Sequence, residues 1–419
     1  MNEKIAFYIK MHDKIEVLKN KNLDEGNPGV GGTQYLFLLT IKYLNKIYAN
    51  NSAILITDGN IGLEDIDIPY HIVNNMDEAF IFCKDNNIKK IVLNANIVSK
   101  INDYLYSLDL DIILWAHNTL SFKGQKIAAE KDSIFRVVCV SESQYQNMKD
   151  SACFKKCVYI NNVITNMFYK NAIITDYSEK KVVYVGSAMP QKGMHNLLDI
   201  WRIVEKKEPE AQLYIIGGAK IWNRKTVLGS LNVGDKYYDK LLCNKLKKIK
   251  NKNNIHFLGA MGWGNIKEVI KSCRVGVVNP SYYVRDETFC MSAIELETYG
   301  IPVVSRNRND GLKTTIIDGK TGFLKKYNSE IADRIVYLLD DYNCKKIGVK
   351  SRNHAKEFII EKELKKWKDL CSCERIKSNH SAKISKDSIY LCWDNFLKFI
   401  FVIRSGKVFF ILKRKLMKI

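Results

Sequence analysis

A chain of 419 residues, 46% hydrophobic and 26% charged, has the balance of an ordinary globular protein and is too long for one compact core. Its formal net charge of +21 attracts polyanions, but the bases are mostly scattered lysines without a zinc-finger, RRM, KH or basic-zipper pattern, which argues against nucleic acid as a partner. The apolar run at 5–9 is too short for a signal peptide, no stretch reaches the roughly 18–20 apolar residues of a spanning helix, and the eleven cysteines lack zinc-ligand spacing, so they read as reduced, buried thiols of a cytoplasmic protein.

Short β-rich runs at 5–9, 53–57, 71–73, 90–94, 112–115, 136–140 and 158–160 alternate with helical periodicity at 33–48, 76–86, 121–131 and 143–150. That alternation predicts a parallel sheet covered on both faces. A polar stretch at 165–181 interrupts it. Strands at 182–185, 212–216, 255–258, 275–278 and 302–305 then alternate with helices at 194–207, 237–250, 265–272, 290–299 and 329–340. The fold class is therefore α/β, with two Rossmann-like domains at 1–168 and 169–370, followed by a basic, aromatic-rich tail at 371–419. Ligands of open α/β sheets bind beyond the carboxyl ends of the strands, so two such sheets facing each other predict a site in the cleft between them. The Lys-rich run at 240–252 reads as a solvated helix face.

Four segments carry chemistry. Gly31 and Gly32 precede the first helix, where paired glycines let backbone N–H groups and the helix dipole approach a phosphate. Gly186-Ser187 ends the first strand of the second domain, and Lys192-Gly193 stands at the start of the following helix, where an anion meets an ammonium and free N–H groups together. Glu287 and Glu295 lie eight residues apart on one loop-helix unit, and ionised carboxylates there accept hydrogen bonds from vicinal hydroxyls. Glu295 sits amid Ala293, Ile294 and Leu296, a setting that predicts a partly buried, partnered acid. Asp318-Gly319-Lys320-Thr321-Gly322 is a glycine-punctuated turn entering a short strand.

Taken in order over about residues 3–370, these segments resemble family 4 of the glycosyltransferases, retaining enzymes of GT-B fold. The resemblance implies that Gly31, Gly32, Lys192 and Gly193 embrace the diphosphate of a nucleotide-sugar donor. It implies that Glu287 faces the donor sugar, that the amides of Thr288, Phe289 and Cys290 face sugar or phosphate, and that Glu295 holds the ribose hydroxyls. Trp115-Ala116-His117-Asn118 is similar to the strand that brings a histidine to the transferred sugar, and Asn161-Asn162-Val163 to an Asn-Gly dipeptide before the linker. Three positions depart from the family: Ser187 stands where an arginine is usual, Asn162 replaces the glycine of Asn-Gly, and Asp310-Gly311-Leu312-Lys313-Thr314 replaces a Gly-Gly-x-Pro-Glu stretch. The second diphosphate contact is thus missing or supplied from elsewhere. Tyr282, Tyr283 and Arg285 are the candidates for shaping the sugar pocket.

On this reading the chain moves a sugar from a nucleoside diphosphate sugar to a hydroxyl of a glycan or lipid-linked acceptor, with Glu287, His117 and Lys192 at the reacting centre. The work belongs to bacterial polysaccharide or lipopolysaccharide biosynthesis, and the linker at 165–180 acts as a hinge. None of these segments holds an Asp-x-Asp motif, and the chain is expected to need no metal and no other cofactor. The alternatives are a phosphorylase or hydrolase of similar fold and a catalytically weak nucleotide-sugar-binding scaffold. A nicotinamide dehydrogenase is disfavoured because no G-x-G-x-x-G follows the first strand. Residues 389–419 hold Trp393, Phe396, Phe399, Phe401, Phe409 and Phe410 with seven bases against one acid, the composition of a helix lying on an anionic membrane. This predicts peripheral attachment to the inner face of the cell membrane; docking on the first domain or a dimer contact is the alternative.

Overall fold

The computed structural model describes residues 4–11, 18–48, 52–58, 66–172, 177, 179–218, 228–282, 287–308 and 310–373. The first domain is a sheet of β1 (Ile5–Tyr8), β2 (Ala53–Thr57), β3 (Tyr70–Ile72), β4 (Lys90–Asn94), β5 (Asp111–Ala116), β6 (Ile134–Cys139) and β7 (Cys157–Tyr159). Their order is β3-β2-β1-β4-β5-β6-β7 and every pairing is parallel. The second sheet contains β8 (Lys181–Val185), β9 (Gln212–Ile216), β10 (Ile255–Gly259), β11 (Val275–Val277), β12 (Val303–Arg306) and β13 (Gly322–Lys325). It is likewise wholly parallel, in the order β10-β9-β8-β11-β12-β13. Near-continuous apolar runs such as Ile112-Ile113-Leu114-Trp115 are buried on both faces, as parallel strands under helices require.

The helices are α1 (Gly32–Ile47), α2 (Met76–Asp85), α3 (Phe122–Glu130), α4 (Glu142–Asn147), α5 (Asn166–Asn171), α6 (Met194–Lys207), α7 (Lys236–Leu246), α8 (Trp263–Ile270), α9 (Met291–Thr298), α10 (Leu312–Thr315), α11 (Asn328–Leu339), α12 (Asp341–Ala355) and α13 (Ile360–Ser372). Asn75, Ser121, Ser141, Thr165, Asp235 and Asp340 each accept a backbone N–H of the first turn that follows them, so the sequence itself marks where those helices begin. Strand order reverses between β1 and β4 in one sheet and between β8 and β11 in the other. Loops leaving neighbouring strands diverge at such points and open a crevice.

Two features differ from the sequence expectation. The polar stretch after residue 165 is not all linker: Thr165 caps α5, and its hydroxyl also donates to the Asp24 carbonyl at 2.6 Å. The end of the chain assigned to the second domain returns to the first. The Trp367 ring of α13 lies 5.7 Å from Phe7 and 4.7 Å from Trp115, and Glu363 accepts the Asn161 N–H at 3.0 Å. An amphipathic helix buries its apolar stripe wherever a complementary face is open, and the stripe does not name the face. The two chain crossings are tied together, Ile164 N–H donating to the Phe358 carbonyl and Ile360 N–H to the Ile164 carbonyl, each at 2.9 Å.

The described cysteines are all unbridged, and Cys83, Cys139, Cys153, Cys157, Cys273, Cys290, Cys344 and Cys371 are buried, in keeping with their reading as small apolar residues. Among the described residues no helix is long and apolar enough to cross a membrane. The tail from residue 374, and Tyr283 and Arg285, lie outside the described residues.

Candidate active site

Between the two carboxyl edges lies a cleft of about 990 Å³. On the second domain its wall starts where β8 runs into Gly186 and Ser187. A short turn, Pro190–Lys192, leads to Gly193, whose φ of +79° is left-handed. A Cβ at Gly193 would sit 2.4 Å from the Ser281 nitrogen, so only glycine lets this turn pack against the loop after β11. That approach seats Lys192 beside Glu287, with Nζ 2.6 Å from Oε2. The Asn279 side-chain amide donates to the same oxygen. Burial pushes the Lys192 pKa down, but the charge of Glu287, the neighbouring Cys290 and the hydrogen bond to Glu287 push it further up, so the ammonium stays charged.

Glu287 is fixed from behind. Its N–H donates to Asp310 Oδ2 at 3.2 Å, and its carbonyl accepts the Gly311 N–H at 2.5 Å. A Cβ at Gly311 would fall 2.2 Å from the Thr288 carbonyl oxygen, which explains the glycine in a segment that otherwise departs from the family pattern. Past Glu287 the N–H groups of Thr288, Phe289 and Cys290 donate to no group among the described residues, and Cys290 makes no side-chain cap for α9. Phe289, Cys290, Met291 and Ser292 line the cleft, so the positive end of α9 faces into it. Burial raises the Cys290 thiol to about 12, which keeps it neutral. Glu295 also lines the cleft and is partly buried as expected, but its carboxylate pairs with no side chain among the described residues. Burial lifts its pKa to about 7. The fully buried, partnered acid of α9 is instead Glu297, 2.8 Å from His354 Nδ1.

On the first domain the glycine loop is organised by Asn27, whose Oδ1 accepts from the Gly29 and Val30 N–H groups and whose Nδ2 donates to the Val30 carbonyl. Gly31 serves as N-cap of α1, and its N–H is taken by Gln34 Oε1 at 3.2 Å. It is therefore Gly32, with open space where a Cβ would stand, and Thr33 that present the start of α1 to the cleft. His117 follows β5 and tilts over the Trp115 ring at 4.5 Å. Its Nε2 is buried without a hydrogen-bond partner among the described residues, and burial pulls its pKa down to about 3, so the imidazole is neutral. Asn162 also reaches the cleft, its Oδ1 buried without a partner among the described residues. The domains touch through Thr288, which donates to the His117 carbonyl at 2.7 Å and accepts from the Ser141 hydroxyl at 2.6 Å.

The structure thus gathers Gly32, His117, Ser187, Lys192, Glu287, Thr288, Phe289, Cys290 and Glu295 around one cavity and leaves Gly31 behind its wall. Sequence reasoning missed Asn27, Asp310 and Arg308. Asn27 carried a local signal, an Asn two residues before a glycine loop. The other two carried none, because their role depends on the turn after β12 folding back against Glu287.

Residues 168–360 match the family model described as glycosyl transferases group 1. Among curated proteins, the chain is 21% identical over 283 residues to an uncharacterized glycosyltransferase of Haemophilus influenzae, covering 64% of this chain and 71% of that one. It is 31% identical over 183 residues to a trehalose synthase of Thermococcus litoralis, a match spanning 43% of this chain and only 41% of that enzyme. Among solved structures, Anabaena HepE in complex with UDP and glucose superposes with a TM-score of 0.67 at 16% identity, covering 88% of this chain and 99% of that one. The second domain thus matches the group 1 glycosyltransferases, and the two-sheet fold around a shared cleft is the GT-B fold that the sequence resemblance implied.

Proposed function

We propose that the chain transfers a glycosyl group from a nucleoside diphosphate sugar to a hydroxyl of a glycan or lipid-linked acceptor, with retention of anomeric configuration. The observation that carries this reading is the Lys192–Glu287 pair at the carboxyl edge of the second sheet, beside the open amides that begin α9 and across from a neutral His117. The diphosphate lies between Lys192 and the N-terminus of α1 at Gly32 and Thr33. Glu287 and the amides of Thr288, Phe289 and Cys290 receive the sugar, and Glu295 accepts hydrogen bonds from the ribose hydroxyls. His117, being neutral, orients a sugar hydroxyl through Nε2.

In the transfer step the bond between the anomeric carbon and the diphosphate oxygen breaks and its electron pair leaves with the phosphate. The acceptor oxygen bonds to the anomeric carbon on the same face, and its proton passes to the departing phosphate oxygen. The growing negative charge is the costly element, and Lys192 with the helix amides meets it, with no metal ion needed. UDP bound in the Anabaena neighbour is consistent with such a donor. A panel of nucleotide sugars incubated with the protein, with and without EDTA, tests this directly. The expected result is release of nucleoside diphosphate from one donor, insensitive to EDTA and accelerated by a hydroxyl acceptor. Tight donor binding with no release, slow or fast, would favour a nucleotide-sugar-binding scaffold instead.

The polysaccharide role and the membrane partner rest on the composition of the tail. We read residues 374–419 as an anchor to anionic lipid that brings the cleft to a lipid-linked acceptor at the inner face of a bacterial membrane. Chain ending at Cys373 should lose co-sedimentation with phosphatidylglycerol vesicles that the full chain shows, while still binding donor. Equal sedimentation of both would assign the tail another task.

A further inference from the structure

Among the described residues the cleft wall carries two cationic side chains, Lys192 and Arg308. Arg308 follows β12, which lies beside β11 and one strand further from β8. Its position therefore belongs to the same sheet rim as Ser187, which offers only a hydroxyl at the end of β8. The strand's last residue, Arg306, is spent on the fold: its Nε donates to the Pro280 carbonyl at 2.9 Å, and its other nitrogens bond the Lys326 carbonyl and Asn328. Two residues later the chain turns inward, and the Arg308 side chain is left only 12% exposed.

A buried guanidinium is costly unless paired, and here Asp310 lies 2.8 Å from Nε. Asp310 is the same carboxylate that accepts the Glu287 N–H. The two cations are thus parked on either side of one residue, Lys192 on the Glu287 carboxylate and Arg308 through Asp310 on its backbone. They lie close enough for the Arg308 charge to oppose protonation of Lys192. Two mutually repelling cations facing one cavity make a site for a ligand with two adjacent anionic groups, and a planar guanidinium matches phosphate oxygens in pairs.

We propose that Arg308 is the second cation for the donor diphosphate, doing from the end of β12 what Ser187 cannot do from the end of β8. This rests on the glycosyl-transfer reading above. The test is calorimetric titration of UDP and GDP, each against its nucleoside, uridine or guanosine. Arg308→Gln should weaken the preferred diphosphate by on the order of 10- to 100-fold and leave the nucleoside unchanged. Arg308→Lys keeps the ion pair with Asp310 and should fall between. Ser187→Arg added to Arg308→Gln should recover most of the loss, a rescue that a merely structural role for Arg308 would not allow. Undiminished diphosphate affinity in Arg308→Gln overturns the proposal, as does equal weakening of diphosphate and nucleoside. If the wild-type protein binds neither diphosphate, the glycosyl-transfer reading fails first and this one with it.

Discussion

Replacing Lys192 with alanine is expected to slow transfer by about 10²–10³ at saturating donor, the size of losing one preorganised charge at a developing anion. The argument is geometric. Lys192 ends a turn that exists only because Gly193 adopts a left-handed φ and lets Ser281 approach. Its ammonium is held 2.6 Å from Glu287 before any ligand arrives, so no side-chain entropy remains to be lost when the phosphate departs. The variant also leaves the Glu287 carboxylate with Asn279 as its hydrogen-bond donor, so thermal unfolding should be measured alongside to separate lost catalysis from lost fold. Rates of nucleoside diphosphate release within threefold of wild type, in a folded Lys192→Ala protein, would move the phosphate site elsewhere.

The second large effect separates the two carboxylates. Glu295→Ala should weaken donor and free nucleoside diphosphate alike by on the order of 100-fold, through loss of two charge-assisted hydrogen bonds to vicinal hydroxyls. Glu287→Ala should spare nucleotide binding and depress transfer, because its contact is with the sugar. The pH dependence follows from burial, which raises the Glu295 carboxyl to about 7. A protonated carboxyl cannot accept at both oxygens, and hydrogen bonds from the ribose favour the ionised form. Affinity should therefore rise as pH goes from 6 towards 8 and level off above, with a slope of at most about tenfold per unit below 7. Glu295→Gln should flatten the profile. A wild-type profile without slope between pH 6 and 8, or equal turnover in both alanine variants, would end this division of roles.

Much of this was legible before any coordinates. Alternating short apolar runs and amphipathic segments point to twelve of the thirteen parallel strands, and the glycine-punctuated turn at 318–322 to the last, since parallel strands buried on both faces leave an unbroken apolar signature. The spacing of Lys192-Gly193, Glu287 and Glu295 was equally readable because each stands at a strand end or the adjoining helix start, where open α/β sheets place ligands. The glycine loop was half legible. Paired glycines announce a helix entry, but whether Gly31 or Gly32 offers its amide depends on where Gln34 turns its side chain.

What the sequence by itself determined, then, is the pair of sheets and the strand ends that bear the candidate site residues, because periodicity and turn chemistry are local. Tertiary structure alone decided which groups meet. The face that α13 covers was settled by Trp367 finding Phe7 and Trp115, hundreds of residues away in the chain. Among the described residues Glu295 has no side-chain partner while Glu297, two positions on, took His354, because the helix turns one towards the cleft and the other towards α12. Arg308 and Asp310 became part of the site only when the turn after β12 closed against the Glu287 N–H, a long-range contact that no local pattern encodes.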